Sequence, residues 1–149
     1  MTTPTAAQAS TESHTHIRLR PMRQKDLGAV YKLEKLGQPR PWPAWYFRKQ
    51  LRNASCWVLE QQGMLIGFGI FSMVKHWAHI MNMGIAPGFR RQGLGRRMML
   101  HMLSMASKEH ARYSWLEVRL TNIPAIRLYH QLGFRKKQLR RKYYSLPGG

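Results

Sequence analysis

Gly84-Ile85-Ala86-Pro87-Gly88-Phe89-Arg90-Arg91-Gln92-Gly93-Leu94-Gly95-Arg96 is the stretch on which the reading of this chain turns. An apolar run over residues 77–85 leads into it, and Pro87 and Gly88 break that run with a turn. Arg90, Gly93 and Gly95 then open a segment rich in methionine and leucine. A strand that feeds a glycine-bearing helix start is a place to hold phosphate. The first N–H groups of a helix lack an internal acceptor, and the helix dipole adds partial positive charge there. Gly93 and Gly95 carry no side chain to keep an anion away from them. The spacing is not the dinucleotide fingerprint, and a P-loop would need Gly-Lys-Ser/Thr. The plain alternative is a tight turn with an ordinary helix behind it.

Outward from this stretch the chain alternates strands and helices. Downstream, residues 93–108 predict a helix whose buried stripe is Leu94, Met98, Met99, Met102, Leu103 and Met105. Residues 113–119 predict a strand, and Asn122 caps a short helix closed by Gly133. Residues 134–144 read as one last extended stretch. Upstream, residues 56–60 and 64–74 predict a hairpin turning at Gln62-Gly63. Gly67 and Gly69 alternate in its second strand, which predicts close approach of another element to that face. Gly84, near the end of the next strand, is expected to mark a bulge or splay. Residues 17–20 alternate apolar and basic as a half-buried strand, and residues 26–36 and 43–53 predict two helices. The prolines at 39, 41 and 43 confine their segment to a connector. The expected architecture is α/β: one central mixed sheet flanked by helices. Residues 1–16 read as a disordered tail and 17–149 as a single domain.

The 149 residues carry 25 Lys plus Arg against 6 acidic residues, a formal charge of +19. That field favours anionic partners: a phosphate-bearing cofactor, RNA or a membrane surface. A solvated basic face is the bland reading. Hydrophobic residues make up 44 %, enough for a packed core and against a disordered chain. Cys56 is the only cysteine, so a disulfide framework is excluded, and its neighbours predict a packed thiol rather than a nucleophile. The histidines lack metal-ligand spacing, so no metal is expected. No segment has a signal pattern or the length to span a bilayer, and the expectation is a cytoplasmic monomer without membrane contact.

Six carboxylates are available: Glu12, Asp26, Glu34, Glu60, Glu109 and Glu117. Asp26 reads as a helix-start residue, and Glu60 and Glu109 as residues at element ends. Glu117 has large apolar neighbours on both sides, in Trp115-Leu116-Glu117-Val118. Burial there would raise its pKa into a range useful for taking a proton. A surface-facing strand residue paired with an arginine is an equal alternative. Tyr129 lies on the following helix, and a phenol can hand a proton to a leaving group. Taken alone, a core tyrosine is the favoured reading.

The spacing Arg90-x-x-Gly93-x-Gly95 is similar to the acetyl-coenzyme A signature of the GNAT acetyltransferase superfamily. Trp115-Leu116-Glu117-Val118-Arg119, then Asn122, Ala125-Ile126, Leu128-Tyr129 and Gly133-Phe134, resembles its RimI-type branch, the ribosomal-protein-alanine N-acetyltransferases. Arg140-Arg141-Lys142-Tyr143-Tyr144 extends the likeness, which runs over residues 18–149 and takes in Glu34 and the Pro41-Trp42 loop. The resemblance implies the GNAT fold and acetyl-coenzyme A as cosubstrate. It implies transfer to the N-terminal alanine of the eighteenth small-subunit ribosomal protein. Backbone groups of Met83, Gly84 and Ile85 would hold the acetyl and pantetheine end. Arg91, Gln92, Gly93, Leu94, Gly95 and Arg96 would cradle the pyrophosphate, and Asn122 would touch the pantetheine. Glu117 would be the general base, through water, and Tyr129 the general acid. Pro41, Trp42 and Tyr143 would line the peptide channel.

Family members continue past the Tyr-Tyr pair into one more strand beside the one bearing Glu117. This chain ends at Pro147-Gly148-Gly149, so the sheet is expected to lack that last strand. Two other functions stay open. One is acetylation of lysine or a small-molecule amine, which shares the cofactor half. The other is a catalytically weak module binding ribosome or RNA through Lys136, Arg140 and their basic neighbours.

Overall fold

The computed structural model describes residues 16–136 and the backbone of residues 143–147. The tail expected over residues 1–16 lies outside them except for His16, as does most of the basic run between Lys136 and Tyr143. The elements, in chain order, are β1 (Ile17–Pro21), α1 (Leu27–Gly37), α2 (Ala44–Asn53), β2 (Ser55–Gln61), β3 (Met64–Val74) and β4 (Trp77–Ile85). Then follow α3 (Leu94–Lys108), β5 (Tyr113–Glu117), α4 (Ile123–Gln131), β6 (Arg135–Lys136) and β7 (Tyr143–Pro147). The strands form one sheet in the order β1-β2-β3-β4-β5-β7-β6. β4 and β5 pair in parallel across the α3 connection, and all other pairs are antiparallel.

Strand alternation divides the core in two. Phe68 and Ile70 point to one face, against Val30, Leu33 and Phe47 of α1 and α2. Phe71, Ile80 and Leu116 point to the other, against Met98, Met99 and Met102 of α3 and Tyr129 of α4. Gly69 is where α3 comes closest. A Cβ there would lie 2.7 Å from the Met98 Cγ and 2.9 Å from the Met102 Cε, so the methionine stripe seats on the missing side chain. The close approach expected at Gly69 is therefore that of α3. The expected packing of Cys56 also holds: the thiol is buried, and burial pushes its pKa up to about 12.

Three expectations need correction. The place beside β5 is filled: β7 runs antiparallel to it, pairing Tyr113 with Pro147 and Glu117 with Tyr143. No strand is missing there. The stretch expected to be continuous over residues 134–144 is instead two antiparallel strands, β6 and the start of β7, with Lys136 opposite Tyr144. The bulge in β4 is at Met81 rather than Gly84. Ile70 pairs with Asn82 and Phe71 with Ile80, leaving Met81 as the extra residue. Gly84 keeps regular pairing opposite Phe68, whose ring a Cβ would approach to 2.7 Å, so glycine is there for close packing.

Asp26 does more than start a helix. Its carboxylate takes a two-pronged pair from Arg20 at 2.8 and 2.9 Å, plus the Arg23 N–H at 2.7 Å. Arg20 also reaches Glu60 at 3.0 Å, tying β1 and β2 to the entry of α1. The Arg20 guanidinium is the main reason the Asp26 carboxyl is held below the usual carboxylate range.

Candidate active site

β4 and β5 stay paired only as far as Ile80 and Leu116. Beyond the Met81 bulge β4 continues along β3 alone, and β5 ends at Glu117. The strands part, and a cleft of about 900 Å³ opens between them. Its floor is β4 from Ile80 to Ile85; α3 and α4 border one side, and α1 with the loop before α2 the other.

The α3 side is built from backbone. Gly93 precedes the helix at φ 77°, a left-handed conformation that a side chain strains. The first intrahelical bond is Arg97 N–H to Gly93 O at 3.0 Å, so the N–H groups of Leu94, Gly95 and Arg96 have no helical acceptor. A Cβ on Gly93 would meet nothing within 4 Å, which leaves open space over those groups. Arg91 and Arg96 border this end of the cleft. Arg90 is used differently: its Nε donates to Ile85 O at 3.2 Å and braces the turn. Open N–H groups, absent side chains and arginines fit the phosphates of an elongated anionic ligand.

Most of the residues expected from sequence meet in this cleft. Met83, Gly84 and Ile85 line its floor, and Arg91, Gly93, Leu94, Gly95 and Arg96 its α3 end. Asn122 lines it too, and its Oδ1 accepts the Ala125 N–H at 3.3 Å, capping α4 as expected. Glu117 and Tyr129 both face it. Trp42 does so from the α1 side, where its ring packs on Tyr46 and Phe47. Gln92 and Pro41 lie on the adjoining loops but do not line the cleft. Tyr143 stands opposite Glu117 in the backbone register; its side chain is outside the described residues.

The two proton-handling candidates sit in different surroundings. Tyr129 is buried, edged by Phe134, and burial pushes its pKa up to about 12. Glu117 is exposed, so of the two readings its apolar neighbours left open the surface-facing one holds. Leu116 and Val118 enter the core, and period-two alternation turns Glu117 to the opposite side. Its carboxylate has no ion-pair or hydrogen-bond partner among the described residues.

A third group lies within the family likeness, but the sequence gives it no role. Glu34 of α1 is 2 % exposed and lines the cleft. Its Oε1 accepts the Gln38 Nε2–H at 2.8 Å; its Oε2 accepts the Trp42 N–H at 2.9 Å and the Asn82 Nδ2–H at 3.0 Å. The available signal was a carboxylate at an inward position of an amphipathic helix. Among the described residues no cluster of His, Cys, Asp or Glu is arranged to hold a metal, and no helix is long and apolar enough to cross a membrane.

Comparison with known proteins agrees with this geometry. The acetyltransferase (GNAT) family pattern matches residues 22–134. The [ribosomal protein bS18]-alanine N-acetyltransferase of Escherichia coli K12 is 35 % identical over 125 residues, covering 83 % of this chain and 84 % of that protein. An N-alpha-acetyltransferase of Sulfurisphaera tokodaii is 29 % identical, with 86 % of each chain covered. The crystal structure of the E. coli ribosomal-protein-S18-alanine N-acetyltransferase superposes with a TM-score of 0.81 at 27 % identity, covering 89 % of this chain and 94 % of that one. With its family pattern, its curated relatives and its parted β4–β5 cleft in agreement, this chain belongs to the GNAT family of acetyltransferases.

Proposed function

We propose that the cleft transfers an acetyl group directly from acetyl-coenzyme A to the α-amine of a protein N-terminus. The N-terminal alanine of ribosomal protein bS18 is the first acceptor to try. One observation carries the reading: Glu117, a carboxylate without a partner among the described residues, and a protonated phenol, Tyr129, line one cleft that ends on the open N–H groups of α3. The names of the E. coli and S. tokodaii relatives support an N-terminal amine as acceptor.

Acetyl-coenzyme A supplies an acyl group already activated as a thioester. The residues of this chain hold it, orient the acceptor and move protons. The α3 start and its arginines take the phosphates, and the β4 backbone over Met83, Gly84 and Ile85 takes the acyl end. An amine attacks only when neutral, and an α-ammonium group has a pKa near 8, so a modest base suffices. Glu117, open to solvent, takes that proton through water. Tyr129 keeps its own proton throughout the neutral range and offers it to the departing sulfur. The rest is positioning.

The experiment is turnover on peptides beginning with Ala, Met or Ser, beside the same peptides with blocked N-termini, a polyamine and an aminoglycoside. Transfer to the free N-termini alone is expected. Failure on every peptide with turnover of the polyamine or aminoglycoside would overturn the acceptor assignment. Glu117→Gln is expected to lose about 10²-fold in kcat while still binding coenzyme A.

A further inference from the structure

We infer that Glu34 is a positioning residue that ties the acceptor-side loop and an acyl-side backbone amide to one buried carboxyl. The inference rests on the proposed function for its assignment of the two sides. The connection is continuous. Trp42 N–H donates to Glu34 Oε2, and Asn82 Nδ2–H donates to the same oxygen. Asn82 Oδ1 in turn accepts the Met83 N–H at 2.8 Å. Gln38 Nε2 closes the group by donating to Glu34 Oε1 at 2.8 Å and to Asn82 Oδ1 at 3.3 Å.

The position of Asn82 gives the link its meaning. It follows the Met81 bulge, where β4 leaves β5 and the cleft begins. The Met83 N–H points out of the β3–β4 ladder and is held by a side chain instead. Asn82 and Glu34 are buried, at 9 % and 2 % exposure, so solvent is a poor substitute for either partner. Glu34 therefore orders the loop that carries Trp42 and the strand that carries Met83 together.

The same contacts separate Glu34 from Glu117. Three protein donors converge on the two oxygens of Glu34, whereas the Glu117 carboxylate has no partner among the described residues. Geometry is the work of the first and proton transfer that of the second. The hydrogen bonds, not the charge, are what Glu34 supplies. A glutamine can keep an oxygen at the Oε2 position for Trp42 and Asn82, and Gln38 can turn its amide to meet the new NH₂ group.

The test uses the full chain with acetyl-coenzyme A and an N-terminal alanine peptide. Glu34→Ala should raise KM for both substrates by about tenfold, as expected when two hydrogen-bonded supports are lost together. Glu34→Gln should stay within about threefold of wild type in both KM values and keep the wild-type pH profile. Asn82→Ala should raise KM for acetyl-coenzyme A more than KM for the peptide. Amide hydrogen exchange followed by NMR gives a readout without turnover: Glu34→Ala should deprotect the Trp42 and Met83 amides together. The inference is overturned if Glu34→Gln loses as much kcat as Glu117→Gln with a displaced acid limb. It is equally overturned if Glu34→Ala leaves both KM values and both amides unchanged. Should Glu34→Ala not fold, Glu34→Gln and Asn82→Ala still decide. Wild-type failure on the peptide would count against the acceptor assignment, and the exchange data would still judge the positioning role.

Discussion

The α3 side of the cleft is made of main chain: a left-handed Gly93 with open space over it, and N–H groups at Leu94, Gly95 and Arg96 without a helical acceptor. The α1 side is held by side chains: Glu34 of α1, Gln38 just past its end and Asn82 of β4, with Trp42 joined through its N–H. A main-chain site recognises a shape that recurs, such as a phosphate, whatever the neighbouring side chains are. A side-chain site can be altered one contact at a time. The proposed cofactor half is thus expected to be sensitive to substitution at few positions, Gly93 first among them, and the proposed acceptor half to carry whatever distinguishes this chain's substrate.

Four substitutions or titrations press on that contrast. The largest effect is expected at Tyr129, the proposed general acid where the two halves meet. Tyr129→Phe should lower kcat by about 10²- to 10⁴-fold while keeping the fold, since only the hydroxyl is removed. Rapid-quench or steady-state kinetics check it, and a Phe variant with near wild-type kcat would remove Tyr129 from proton transfer.

Removal of the Arg20–Asp26 pair tests whether the acceptor side depends on a distant brace. Asp26→Ala leaves the largely buried Arg20 guanidinium with Glu60 as its one acidic partner among the described residues, beside the Pro21 carbonyl, and should cost about 3 kcal/mol in denaturant unfolding. The pH sign follows from the native pKa of Asp26, lowered chiefly by Arg20. The pair's contribution is fully present above the unfolded value near pH 4 and is lost as pH falls through the lower native value. Acid unfolding of wild type should therefore steepen below about pH 4, and Asp26→Ala should flatten that limb.

Gly69→Ala probes the seat of α3. The added methyl meets Met98 at 2.7 Å and should cost about 1–3 kcal/mol, with the methionine side chains absorbing part of it. The smallest and most selective effect is expected from Gly93→Ala. Space is open there, but a φ of 77° costs about 1 kcal/mol for a residue with a Cβ. KM for acetyl-coenzyme A should rise a few-fold while KM for the peptide stays put. Equal changes in both would blur the contrast between the halves.

The same contrast explains what could be read in the chain and what could not. Gly93 and Gly95 leave a trace in sequence because open main chain at a helix start demands residues without side chains. The methionine stripe of α3 is legible for a related reason: its spacing matches the helical repeat and all of it faces the sheet. Asn122 is legible because capping is local. The Glu34–Asn82 contact leaves no such trace, since 48 residues separate the partners and no periodicity links them. The Arg20–Asp26 pair likewise joins a strand to a helix entry. The side Glu117 takes is not legible, because sequence neighbours stand on opposite faces of a strand and apolar flanks are no sign of burial. β7 is not legible because nothing in the sequence separates Tyr143 and Tyr144 from the strand before them, although register puts Tyr144 opposite Lys136.

The most direct measurement is the site of the acetyl group on a peptide that offers a choice. A peptide beginning with alanine and carrying an internal lysine is incubated with the chain and acetyl-coenzyme A, then fragmented in a mass spectrometer. One acetyl group on the α-nitrogen, absent with Tyr129→Phe in the same time, is the expected result. Acetylation of the lysine with the α-amine left free would contradict it.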